Sequence, residues 1–152
     1  MRGVYTAEIE AGVTAAKSLI HITVPADSVI EILSASITNS DIDATEQLEA
    51  GVYHVTTIGA PVGTAITPEK HETGDAASGV TAIGNLTTEP TTYNTIALDH
   101  QGFSNLNGYR YDPLPEERPI VSPSGAFGLR LLAAPDGATN LIAQVVYREI
   151  GG

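Results

Sequence analysis

The sequence predicts an all-β fold: a β-sandwich, jelly-roll-like, with long loop excursions and an extended N-terminal arm. Short runs rich in Val, Ile, Thr and Tyr recur between clusters of Gly, Pro, Asn, Asp and Ser, the pattern of strands joined by turns. Within those runs apolar and polar residues alternate with a period of two. No segment sustains the 3.6-residue period of an amphipathic helix.

The elements follow in order. In Tyr5-Thr6-Ala7-Glu8-Ile9 the apolar positions share one face, so residues 1–10 read as an N-terminal arm or an edge strand. Ile20, Ile22 and Val24 oppose His21 and Thr23 in a second strand, which the turn residues Pro25-Ala26-Asp27-Ser28 end. From Val29 to Thr38, Leu33, Ala35 and Ile37 line one face and Ser34 and Ser36 the other. Ile30 and Ile32 break that pattern, so this end is buried on both sides or bulged. Residues 46–58 make a long strand with a break expected at Gly51. Residues 59–91 are polar and punctuated by Gly and Pro. They read as an excursion that supplies little core, with short strands near Thr64–Ile66 and Val80–Ile83. Thr91–Leu98 is strand-like, and four prolines between 113 and 123 exclude a central strand there. Ala126–Leu132 and Leu141–Ile150, joined by Pro135-Asp136-Gly137-Ala138, form the last pair as a hairpin. About eight strands without a helix suit a sandwich closing as a jelly roll.

A chain of 152 residues is the size of one domain, here 1–152. No apolar run reaches the ~18 residues of a membrane span, so no membrane partner is expected. Met1-Arg2-Gly3 leads straight into an alternating strand without the features of a signal peptide. Cysteine is absent, which excludes disulfides and thiolate chemistry. Eighteen acids against seven bases give a net charge of −11, which repels phosphate backbones and argues against a nucleic-acid partner.

Residues with chemical potential are scattered. His21, His54, His71 and His100 lack HxH or HExxH spacing, so no metal site and no cofactor is expected. His71 lies between Glu69 and Glu72, where carboxylates favour its charged form. Asp41, Asp43, Glu46 and Glu49 make an acidic loop over residues 41–49 with oxygen ligands suited to Ca²⁺ but without EF-hand spacing. Ser122-Pro123-Ser124-Gly125 lacks the GxSxG elbow and reads as a turn. Glu116 and Glu117 are adjacent, which places them on opposite faces of an extended chain, and a glycosidase needs its two acids around one sugar. An enzyme is not expected. Phe103, Tyr109 and Tyr111, flanked by Asn105, Asn107, Arg110 and Asp112, suit either core and interface packing or a sugar-stacking platform.

Several stretches, in order, resemble a group of small β-rich structural proteins of tailed phages and prophages. They are residues 5–9, 29–39, Asp112-Pro113-Leu114-Pro115-Glu116-Glu117-Arg118, Ser122-Pro123-Ser124-Gly125 and the closing Tyr147-Arg148-Glu149-Ile150-Gly151-Gly152. The resemblance implies a capsid decoration, or cement, protein. Such a protein assembles as a homotrimer, binds the major capsid protein, and sits on the exterior of the virion after synthesis in the host cytoplasm. On that reading the contact elements are the N-terminal arm and the 59–91 excursion, with Tyr5, Glu8, Glu69, His71, Phe103, Tyr109 and Tyr111 as contact residues. The competing expectation is a carbohydrate- or receptor-binding sandwich module of a phage tail or secreted protein, with its groove around 103–111.

Overall fold

A computed structural model describes residues 3–41 and 45–151 of the chain, and these form a β-sandwich of two antiparallel sheets. Sheet I contains β1 (Gly3–Val13), β3 (Ile30–Asn39), β6 (Glu69–Lys70), β10 (Tyr109–Tyr111), β11 (Ile120–Val121) and β13 (Thr139–Glu149). Its order is β10-β3-β13-β1-β6, with β11 also on β3. Sheet II contains β2 (Lys17–Thr23), β4 (Gln47–Thr57), β5 (Val62–Ile66), β7 (Thr81–Thr88), β8 (Thr92–Tyr93), β9 (Asp99–Ser104) and β12 (Ala126–Leu131). Its order is β5-β7-β2-β12-β4-β8, with β9 also on β4. A 3-10 turn at Pro115–Glu117 occupies part of the proline-rich stretch.

Alternation decides what each strand buries. In β13 Leu141, Ala143, Val145 and Tyr147 point inward and are almost fully buried, and Tyr5 and Ala7 of β1 oppose Tyr147 and Val145 in the ladder. Ile20 and Ile22 of β2, Ala50 and Val52 of β4, and Phe127 and Leu129 of β12 supply the facing side. Together they form one continuous core.

The N-terminal segment is not a free arm. β1 pairs with β13 over its whole length, Gly3 against Glu149 through Val13 against Thr139. The inward alternation of Tyr5, Ala7 and Ile9 supplies enough apolar contact to hold it in the sheet.

The long excursion is also largely built into the sandwich. β7 lies between β5 and β2, and Val80, Ala82 and Leu86 are buried, so residues 59–91 do contribute core. The strands expected near 64–66 and 80–83 are present as β5 and β7, and the segment is better buried than its polarity suggested because small and scattered apolar residues suffice in a strand with neighbours on both sides. Segment 76–80 is held from below: Tyr5 donates to the Ala76 carbonyl at 2.9 Å, and Ser78 Oγ and Gly79 N donate to the buried Glu149 carboxylate at 2.5 and 2.8 Å.

β3 resolves the broken pattern at its start. Val146 pairs with Ser34 and Tyr147 with Ile32, which leaves Leu33 as an extra residue. It is a bulge, and it lets Ile30 and Ile32 point inward before it and Ala35 and Ile37 after it. Leu33 itself is only half-buried and does not share the face of Ala35 and Ile37. In β4, by contrast, the ladder to β12 runs unbroken past Gly51. A side chain there would lie 2.8 Å from the Asp99 carbonyl, so this glycine serves close approach and not a break.

Candidate functional site

Three clusters of polar and exposed groups stand out, and each is placed by the sheet topology. The first lies on the outer face of sheet II. His21, Gly128 and Tyr53 are consecutive neighbours across β2, β12 and β4 on that face. The chain after β7 runs back over it: a Cβ on Gly128 would meet the Tyr93 ring at 2.8 Å, so the glycine is the floor on which the ring rests. Ser18 is fully buried beneath this strap, and its N and Oγ both donate to the Glu89 carboxylate, at 2.6 and 2.5 Å. The Tyr93 hydroxyl bonds to Ser18 Oγ. The Arg130 guanidinium sits 4.0 Å over the centre of the Tyr93 ring and 5.0 Å from that of Tyr53.

Burial sets the titration of this cluster. It pushes the Tyr93 phenol well above its ordinary range, against an opposing hydrogen bond from Ser18. It pulls His21 down from 6.5 to about 4, against the weaker attraction of the Glu89 charge. Neither ring nitrogen of His21 has a hydrogen-bond partner, so the imidazole is neutral at neutral pH and not bonded to Ser18. The base beside Ser18 is therefore the Glu89 carboxylate and not an imidazole, and the network fastens residues 89–93 to the sheet.

The second cluster is the flank where both sheets end. β8 and β9 form the edge of sheet II, and β10 and β11 that of sheet I, so one stretch, 92–121, builds this whole side. The turn Asn105–Gly108 carries the chain between the sheets, with Gly108 N donating to the Ser104 carbonyl at 2.9 Å. Gly108 has φ +77 and its Cβ position lies 2.7 Å from the Ile37 carbonyl, which only glycine satisfies. Tyr109 ties the two edges by donating to Asp99 at 2.7 Å. Burial and that carboxylate push its phenol far up. Seven large apolar side chains are exposed among the described residues, and five of them, Ile96, Leu98, Leu106, Leu114 and Ile120, lie on this flank.

The third cluster is the opposite flank. β6 pairs with β1 only at Tyr5 and Thr6, and His71 Nε2 bonds Thr6 Oγ1 at 2.7 Å. Glu8, Glu69 and His71 are all exposed here, and Gln144 donates to Glu8.

The seven predicted contact residues therefore separate. Glu8, Glu69 and His71 share the β1–β6 edge. Tyr5 is fully buried, stacked on Tyr147 with ring centres 5.7 Å apart, and is a core residue and not a contact residue. Phe103 and Tyr109 are likewise buried, 6.0 Å apart, because their strands turn these rings inward, so neither can touch a partner. With them goes the sugar platform: of the three rings only Tyr111 stays half-exposed.

The acidic loop does not converge either. Asp41 accepts from Asn140 N at 3.1 Å, Glu46 from Asp136 N at 2.9 Å, and Glu49 lies 3.2 Å from His100. Asp43 lies outside the described residues. Among the described residues no three His, Asp or Glu side chains are grouped to hold a metal. Sequence reasoning missed the strap, whose only signal was Glu89 beside Pro90, and the apolar flank, whose members stand alone between turn residues.

Comparison of the chain with protein-family models, curated proteins and solved structures finds no match.

Proposed function

We propose that this chain is a structural, non-catalytic subunit that decorates and stabilises an icosahedral phage capsid. In this reading it sits on the exterior of the shell as a homotrimer and binds the major capsid protein. The observation that carries the proposal is the 92–121 flank. Single exposed apolar residues are ordinary on a protein surface, but five of the seven among the described residues fall in one stretch along one side of the sandwich, which suits that side to another protein. Ile96 and Leu98 are held on a braced loop, because Leu98 N donates to the Val52 carbonyl at 2.8 Å and Asn94 N to the His54 carbonyl at 3.0 Å. A rigid loop loses little entropy on docking. The resemblance of residues 112–118 and 147–152 to phage structural proteins supplies the kind of assembly. Each subunit contributes a modest contact, and a trimer bridging neighbouring shell proteins multiplies them through effective concentration. No bond is made or broken.

The test is co-sedimentation with shells of the major capsid protein encoded in the same genome. Saturable binding that Ile96→Ser with Leu106→Ser weakens, in a variant of unchanged stability, supports the proposal. Protein that stays in the supernatant at every concentration refutes it.

A further inference from the structure

We infer that the free edge of β1 is an acceptor for an extended, basic segment of a partner protein, which would add to sheet I as a further strand beyond β1. The inference concerns a different surface from the apolar flank and does not depend on which assembly the chain serves.

The edge is open. β6 covers β1 only at Tyr5 and Thr6, and among the described residues no other strand pairs with that side of β1. The direction of the backbone groups follows from one bond: His71 N donates to the Val4 carbonyl at 2.9 Å on the β6 side. In an antiparallel strand every second residue points the same way, so the N–H and C=O groups of Glu8, Glu10 and Gly12 face outward along the same edge. All three residues are exposed. Inward-facing Ile9 and Ala11 are only half-buried, while Ala143 and Leu141, opposite them in β13, are almost fully buried. An added strand would cover them. The free stretch, 8–13, matches the usual strand length of about 5–6 residues.

Charge selects the occupant. Glu8 and Glu10 project from the outer face, and Glu69 continues the acidic row on β6. Glu8 receives a hydrogen bond from Gln144, and Glu10 one from Ser40 at 2.8 Å. Both donors are neutral, so no cation compensates either glutamate among the described residues. Two copies pairing antiparallel through this edge would set these glutamates against each other, and like charges directly opposite destabilise a ladder. A strand carrying Lys or Arg at alternate positions, with apolar residues between, places cations opposite Glu8 and Glu10 and covers Ile9 and Ala11. This is strand addition, in which main-chain bonds give affinity and alternate side chains give specificity.

The experiment follows backbone amides of the full chain by NMR while a capped peptide of about ten residues, alternating Lys and Val, is added. The expected result is shifts and slowed exchange at the Glu8, Glu10 and Gly12 amides. A peptide with Glu in place of Lys should bind at least about fivefold more weakly, and Glu8→Lys with Glu10→Lys should reverse that order. N-methylation of the peptide's ladder amides should abolish binding without touching the protein. Equal response to both peptides, or shifts elsewhere only, overturns the inference. So does protection of the same amides in the free protein that rises with concentration, which would make a second copy the occupant.

Discussion

Acid should loosen this protein through one imidazole. His21 is fully buried between the sheet and the strap, and its midpoint falls from 6.5 to about 4 because burial penalises the charged form. Below 6.5 the unfolded chain takes up a proton at this position that the folded chain refuses until pH about 4. The unfolded state then binds more protons, so stability is full above 6.5 and falls as acid is added. At ~1.4 kcal/mol per pH unit, the loss from this residue is about 2 kcal/mol between about pH 7.5 and 5, and about 3 kcal/mol by pH 4. Urea unfolding followed by circular dichroism measures it, with His21→Leu as the reference. The variant keeps the bulk of the side chain and removes two unpartnered nitrogens, so at neutral pH it should equal or exceed the natural protein in stability. Between about pH 7.5 and 5 the natural protein should lose about 2 kcal/mol more than the variant. Most carboxylates titrate alike in both and cancel in the difference. Equal losses, or a His21 resonance titrating near 6.5, would refute the reasoning.

Two further outcomes follow from packing. Gly128→Ala places a methyl group 2.8 Å from the Tyr93 ring, which Arg130 and Ser18 hold in place, so stability should drop by about 1–3 kcal/mol and limited proteolysis at residues 94–98 should accelerate. Deleting Leu33 removes the extra residue of the bulge and leaves Ile30, Ile32, Ala35 and Ile37 all facing inward, so the protein should still fold cooperatively. Deleting Ser36 instead inverts part of β3 and should prevent folding, which thermal melts of the two variants distinguish.

Alternation made much of the sandwich legible. β1, β2, β12 and β13 could be read from their own residues and the irregularity at Ile30–Leu33 signalled a bulge, but β12 and β13, expected as a hairpin, lie in different sheets and do not pair. The errors have separate causes. A strand with neighbours on both sides needs few apolar residues of its own, so β7, expected only near Val80–Ile83, runs on through Gly84 and Asn85 to Thr88. Asn85 even adopts φ +47, a turn-like conformation inside a strand, as the register between β5 and β7 shifts. The aromatic group at 103–111 was recognised as a unit, but which way each ring points depends on pairings with β3 and β4, more than fifty residues earlier. The strap is harder still: Ser18 and Glu89 are 71 residues apart, and neither carries a pattern that names the other.

The place of β13 has a consequence for biosynthesis. It lies between β3 and β1, so a chain emerging from the ribosome holds both neighbours while the 99 residues after β3 are made, before the strand that joins them exists. Sheet I cannot close until β13 has been made, and until then β1 and β3 each lack the partner that buries them. Assembly of that half of the molecule is therefore slow to begin, since the loop between partners must close before any contact offsets its entropy.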